Sequence, residues 1–252
     1  MRRFFIAAIA TLAASLAFAQ APAPAPAVAE PAARPVRILF VGNSLTSTGD
    51  IPARLQKLAT AMGRKATVES EASPDYSLED HWRDGRALAA IRKGWDFVVL
   101  QQGPSGQADS RAQLLEYAKK FAQPIKAAGA KPALYMPWPP QNRAAEFGGV
   151  ISSYRLAAAA VDGTVLPVGE AWLRALGADK RIRLYSDTVH ASSLGQDLAV
   201  LTIYLTIFPA GQYEFDEAFV AKAAAALELP ADRRDLLFDA ATRAIDEPMV
   251  IK

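Results

Sequence analysis

The chain has 252 residues, a formal net charge of +2 and no cysteine. Without a thiol it holds neither a disulfide nor a cysteine nucleophile, and lipid attachment through cysteine is excluded as well. No Lys/Arg cluster marks a nucleic-acid surface, so no nucleic-acid partner is expected.

Arg2 and Arg3 precede an apolar run from Phe4 to Phe18 that closes on Ala17-Phe18-Ala19. A basic region, an apolar region and a small-residue cleavage site, in that order, predict a secretory signal peptide over residues 1–19. The run falls short of the about 20 apolar residues that a membrane-spanning helix needs, so no span is expected once the peptide is removed. Loss of Arg2 and Arg3 also brings the formal charge to zero. Residues 20–35 read QAPAPAPAVAEPAARP, and proline at alternate positions neither donates to a sheet nor continues a helix. This stretch predicts an extended linker. Residues 36–252 then suffice for one sizeable core and a single domain.

Arg37–Val41, continuously apolar from Ile38 on, predicts a strand covered on both faces. Asp50 is placed to cap a helix whose apolar positions Ile51, Leu55, Leu58 and Met62 share one face, with Gly63 closing it. Ala66–Glu69 predicts a short second strand. Ser77-Leu78-Glu79-Asp80 has the form of a capping box and predicts a helix running to about Arg92. Trp95–Gln101 is the strongest strand signal in the chain. Asp109 or Ser110 then caps a helix that carries Leu114, Leu115, Ala118, Phe121 and Ile125 and stops at Gly129. Pro132–Trp138 predicts a fourth strand, Gly149–Val161 a helix and Thr164–Pro167 a fifth strand. Ser192–Phe208 predicts a long apolar helix, and two amphipathic helices finish the chain.

Five strands alternating with helices predict a three-layer α/β/α sandwich around a mostly parallel five-stranded sheet. In such sheets ligands bind outside the carboxyl ends of the strands. Gly42-Asn43-Ser44 follows the first strand, and Gln101-Gln102-Gly103-Pro104-Ser105 follows the third, so both lie at that edge. A serine nucleophile needs a base, and the base needs an orienting acid. The chain has two histidines, His81 and His190. His190 stands in Ser186-Asp187-Thr188-Val189-His190, where Asp187 is able to fold back onto Nδ1 and leave Nε2 facing a hydroxyl. Other chemistries lack their motifs. GNSLTSTG misses the spacing of a dinucleotide loop, no His-Glu-x-x-His helix offers a zinc site, and Gly103-Pro104-Ser105-Gly106 is not a Gly-x-Ser-x-Gly elbow. No metal or other cofactor is expected.

A strand-end Gly-Asn-Ser-Leu early in the domain and an Asp-x-x-His late in it, ahead of the last core helix, resemble the SGNH (GDSL-type) hydrolases. The resemblance spans the domain from Val41 to the helix beginning at Ser192 and implies a flavodoxin-like fold. It implies Ser44 as nucleophile, His190 as general base and acid, and Asp187 as orienting carboxylate. For the oxyanion, the family pattern supplies the nucleophile's own N–H, a glycine N–H after the second strand and an Asn from a Gly-x-Asn-Asp motif. This chain departs from two of these. After the second strand it reads Ser73-Pro74-Asp75-Tyr76-Ser77, so the N–H of Asp75, or of Tyr76, takes the glycine's part beside that of Ser44. After the third it has no Gly-x-Asn-Asp, and the Gln102 side chain, or alternatively that of Gln101, is the expected donor. Asn43, Gln101, His81 and Trp138 are candidates to line the site. For His81 the competing expectation is a half-exposed helix residue, and for Trp138 simple packing.

Together with the leader, the resemblance implies an exported serine esterase, periplasmic or extracellular, acting on short acyl esters, foremost O-acetyl groups on carbohydrate. The competing expectation is a degenerate, non-catalytic glycan-binding domain, which the missing Gly-x-Asn-Asp keeps open. The leader also generates a direct test. Mass measurement of the exported protein should find it beginning at Gln20, after cleavage behind Ala19. A chain that retains Met1 or Arg2 in the envelope fraction would mean an uncleaved anchor instead.

Overall fold

The computed structural model describes residues 34–208 and 216–251. The predicted signal peptide and the linker up to residue 33 lie outside the described residues. The apolar run after the linker is strand β1 (Val36–Gly42). Its Ile38 and Phe40 join the core on one face and its Leu39 and Val41 the core on the other, all of them buried. Successive side chains of a strand alternate in direction, so burial of both faces requires the continuous apolar sequence.

β1 pairs in parallel with β2 (Ala66–Ala72) on one side and β3 (Phe97–Leu100) on the other. β4 (Lys131–Tyr135) and β5 (Thr164–Leu166) extend the sheet, giving the order β2-β1-β3-β4-β5 with every pair parallel. The strand order reverses at β1, which opens a crevice at the carboxyl edge of the sheet.

The helices of the first half are α1 (Ser44–Ser47), α2 (Ile51–Ala61), α3 (Leu78–Asp84), α4 (Arg86–Ile91) and α5 (Ala108–Ala127). Those of the second half are α6 (Phe147–Val161), α7 (Val168–Ala178), α8 (Ser193–Ile207), α9 (Glu217–Leu227) and α10 (Ala231–Asp246). α3 to α6 cover the Leu39/Val41 face, and α2 with α7 to α10 cover the Ile38/Phe40 face. Among the described residues no helix is long and apolar enough to cross a membrane.

Several elements differ from the expectation, each for a local reason. β2 runs on to Ala72 through the exposed Glu69 and Ser70, because an edge strand need not be apolar throughout. The helix expected over 77–92 is two helices, broken where Gly85 takes φ +82°. α5 starts at Ala108, ahead of the expected caps Asp109 and Ser110. β4 stops at Tyr135, so Trp138 stands beyond the strand. α7 was not expected, because Gly169 and Gly177 dilute its helical signal.

α2 and α8 carry the segments that follow Ser44 and His190, and one ion pair joins them. Arg54 on α2 donates through Nη1 to Asp197 Oδ1 on α8 at 2.6 Å and through Nε to the Gly49 carbonyl at 3.0 Å. Burial pushes the Asp197 carboxyl up to about 6, against the opposing pull of Arg54. The folded protein therefore holds this proton more tightly than the unfolded chain, whose carboxyl titrates near about 3.9. Relative to Asp197→Asn, the wild-type protein should lose on the order of 2–3 kcal/mol of stability as pH rises from 4 to 7. Urea unfolding of both proteins across that range measures it, and a pH-independent difference would refute the assignment.

Candidate active site

The turn after β1 is built on contacts that leave no room for a side chain at Gly42. A Cβ there would stand 2.5 Å from both Gln101 Oε1 and Thr46 Oγ1. Gly42 is not among the positive-φ glycines, so close approach, rather than freedom to turn, demands a glycine. Asn43 then caps α1, its Oδ1 accepting from the Leu45 amide at 3.1 Å. The Asn43 amide donates to Gln101 Oε1, and the Thr46 and Ser47 amides donate to the Asn43 carbonyl. Of the five consecutive amides from Asn43 to Ser47, only that of Ser44 finds no acceptor among the described residues.

Ser44 Oγ stands 3.1 Å from His190 Nε2. On the far side of the ring, Nδ1 meets Asp187 Oδ2 at 2.8 Å. The other carboxylate oxygen accepts from the Val189 and His190 amides, both at 2.6 Å. These two amides, with the His190 ring, hold the Asp187 carboxyl down to about 2. An ionised Asp187 accepts the hydrogen bond from Nδ1–H, and Nε2 is left to accept from the Ser44 hydroxyl. The loop that carries this pair is held from outside. Trp138 Nε1 donates to the Val189 carbonyl at 2.8 Å, and the Gln141 amide to the Thr188 carbonyl at 2.8 Å. Trp138 is buried and lies flat on Trp172, with ring centroids 3.7 Å apart. It packs and supports the loop that carries His190, and it does not form an open wall of the site.

The segment after β2 shows the same economy of amides. Ser73 donates to the Gly42 carbonyl and Tyr76 to the Ser73 carbonyl. Ser77 donates to Asp80 Oδ2 and Leu78 to Gln102 Oε1. Pro74 has no N–H, which leaves the Asp75 amide as the one without an acceptor among the described residues. Asp75 takes φ +62°, a conformation that glycine adopts most readily. The expected glycine is absent from the sequence, but its backbone shape is present.

His81 does not line the cleft beside Asn43; as the competing expectation had it, it is a helix residue satisfied by backbone, but buried rather than half-exposed. It is buried on α3, donates from Nε2 to the Gly42 carbonyl at 2.7 Å and meets the Tyr76 ring edge-on. Burial pushes its pKa below the ordinary value. Its role in the geometry is to hold the end of β1. Gln102 is also redirected. Its Nε2 donates to Ser105 Oγ and to the Ser110 carbonyl, so both of its hydrogens are occupied and neither is free for an oxyanion. Gln101, the alternative, is likewise committed: Nε2 donates to Asn43 Oδ1 and to the Gln102 carbonyl.

A cleft of about 520 Å³ opens beside Asn43, lined by Asp75, Tyr76, Gln102, Gln107, Ser110 and Arg143 among others. Two contributors were missed in the sequence. Thr46 Oγ1 donates to Gln101 Oε1 at 2.7 Å, and the Tyr154 hydroxyl both donates to the Gln102 carbonyl and accepts from its amide. Their partners lie 52 to 55 residues away, and no local pattern announces such pairs.

No protein-family profile matches the sequence, and no curated protein matches it. Solved structures do. A protein classed by name as an SGNH hydrolase, from Slackia heliotrinireducens, is 29% identical with a TM-score of 0.59, over 69% of this chain and 100% of that one. The solved structures similar to this chain support an SGNH/GDSL-type hydrolase. A lipase/acylhydrolase from Enterococcus faecalis shares the fold at 19% identity and a TM-score of 0.55, over 66% of this chain and 91% of that one. So does an acetylxylan esterase from Geobacillus stearothermophilus, at 14% identity and 0.54, over 68% and 92%.

Within the SGNH pattern, Gln102 is thus a structural carboxamide. Gln102→Ala should leave the buried Leu78 amide unpaired and cost about 1–3 kcal/mol of stability in a denaturant titration. Its kcat for an ester substrate should stay well short of the 10²–10³-fold loss that removing an oxyanion donor brings. A loss of that size without destabilisation would restore Gln102 to the oxyanion role.

Proposed function

We propose that this protein is an exported serine esterase that hydrolyses short acyl esters, foremost O-acetyl groups on carbohydrate. The observation that carries the reading is the hydrogen-bonded chain from Ser44 through His190 to Asp187, assembled from segments 146 residues apart. A glycan-binding domain without catalysis has no use for a hydroxyl, an imidazole and a carboxylate in that order at bonding distance.

In this reading His190 Nε2 takes the Ser44 proton as Oγ attacks the ester carbonyl, and Asp187 steadies the imidazolium that forms. The negative charge on the carbonyl oxygen is met by the Ser44 and Asp75 amides, the donors without acceptors in their segments. His190 passes its proton to the departing alcohol. Water, deprotonated by the same nitrogen, then releases the acyl group from Ser44. Neither metal nor cofactor enters these steps.

The alcohol part of the substrate would lie in the cleft beside Asn43, whose carboxamide, hydroxyl and charged side chains suit a sugar. The name of the Geobacillus neighbour, an acetylxylan esterase, supports an acetylated carbohydrate by analogy. The signal-peptide pattern supports export.

A chromogenic acetyl ester, then butyryl and longer esters, then acetylated polysaccharide, tests the reading in that order. Ser44→Ala and His190→Ala should each lower the rate by about 10³–10⁶-fold, and the double variant hardly further, because the residues act as one unit. Asp187→Ala should cost less. Full activity in Ser44→Ala would remove the mechanism.

A further inference from the structure

We infer that Gln101 is a positioning residue for catalysis: paired with Asn43, its carboxamide holds the Ser44 and Asp75 amides ready for the oxyanion. This rests on the esterase reading above. Gln101 is fully buried at the end of β3. Oε1 accepts from the Asn43 amide at 2.9 Å and from Thr46 Oγ1 at 2.7 Å. Nε2 donates to Asn43 Oδ1 at 2.9 Å and to the Gln102 carbonyl at 2.6 Å. Each of its hydrogens and its oxygen is engaged, so the group has one orientation. Turned over, it would set an NH₂ against the Asn43 N–H and its oxygen against two other oxygens.

Asn43 carries the constraint outward. Its Oδ1 receives the Leu45 amide as well as Gln101 Nε2, and its Nδ2 donates to the Tyr76 carbonyl at 3.1 Å. Leu45 is the residue after Ser44, and Tyr76 the residue after Asp75. Two carboxamides therefore join the ends of β2, β1 and β3, three strands that already lie side by side. The two free amides sit on the segments so joined. Gln101 does not itself donate to the oxyanion, since both Nε2 hydrogens are taken. It acts by fixing donors that must be aimed before charge develops, where a misplacement of about 1 Å costs up to 10²-fold.

The test compares wild type, Ser44→Ala, Gln101→Leu and Gln101→Glu in steady-state hydrolysis of the chromogenic acetyl ester at pH 6, with thermal unfolding of each. Gln101→Leu should lower kcat by about 10²-fold and leave KM within about threefold, because the substrate's ground state does not feel the amides. Gln101→Glu, whose protonated carboxyl keeps an acceptor for Asn43 N and one donor for Asn43 Oδ1, should recover at least tenfold of that loss. A folded Gln101→Leu with kcat within threefold of wild type would overturn the inference, as would a Gln101→Glu no better than Gln101→Leu. If Gln101→Leu does not fold, Thr46→Val, which deletes a single hydrogen bond to Oε1, should lower kcat threefold to tenfold at unchanged KM. An unchanged kcat there overturns it as well. An inactive wild type, or activity retained in Ser44→Ala, fails the esterase reading itself. An active, Ser44-dependent wild type with an indifferent Gln101 fails this inference alone.

Discussion

A buried carboxamide presents two hydrogens and an oxygen that water does not reach, and leaving them unpaired costs about 1–3 kcal/mol apiece. At the carboxyl edge of this sheet that constraint falls on Gln101, and the surrounding backbone has folded to meet it. Gly42 has no side chain because Gln101 and Thr46 occupy the space. Asn43 turns its amide and its side chain towards the same group, and α1 starts where that cap places it. The position of Ser44 is the consequence of a polar network beneath it rather than of a strained turn.

His190 reaches Ser44 by a different route. The Asp187–His190 loop is exposed, and nothing in its own length would hold the imidazole towards Ser44. Its carboxylate folds back on the two amides that precede and include His190, and the Trp138 indole and Gln141 amide fix the carbonyls between. Trp138 is itself locked by stacking on Trp172. The loop thus borrows rigidity from the buried aromatic layer behind β4. Arg54 and Asp197 tie the helices that follow Ser44 and His190, so the two halves of the candidate site share one scaffold.

Set against the SGNH pattern, one departure in sequence is matched by backbone shape. Asp75 adopts the left-handed conformation that a glycine would take, and its amide stays free of internal partners. The absent Gly-x-Asn-Asp is not replaced by a glutamine aimed at substrate. Both glutamines after β3 are turned into the scaffold, Gln101 under Asn43 and Gln102 under Leu78. His81 serves the same edge from below, through the Gly42 carbonyl.

The strands, most helices and the pairing of Asp187 with His190 were legible in the sequence, because they depend on local periodicity, capping and short motifs. A short apolar run that stops at a glycine reads as a strand covered on both faces, and a carboxylate three residues before an imidazole lies close enough along the chain to fold back onto it. The roles of Gln101, Gln102, His81 and Trp138 were not legible. Each is decided by partners that sit dozens of residues away and become neighbours only when parallel strands bring their ends to one edge. Sequence names a donor; which acceptor takes its hydrogens depends on what the fold leaves within 3 Å of it. For buried carboxamides, whose every hydrogen must be matched, that choice belongs to tertiary structure alone.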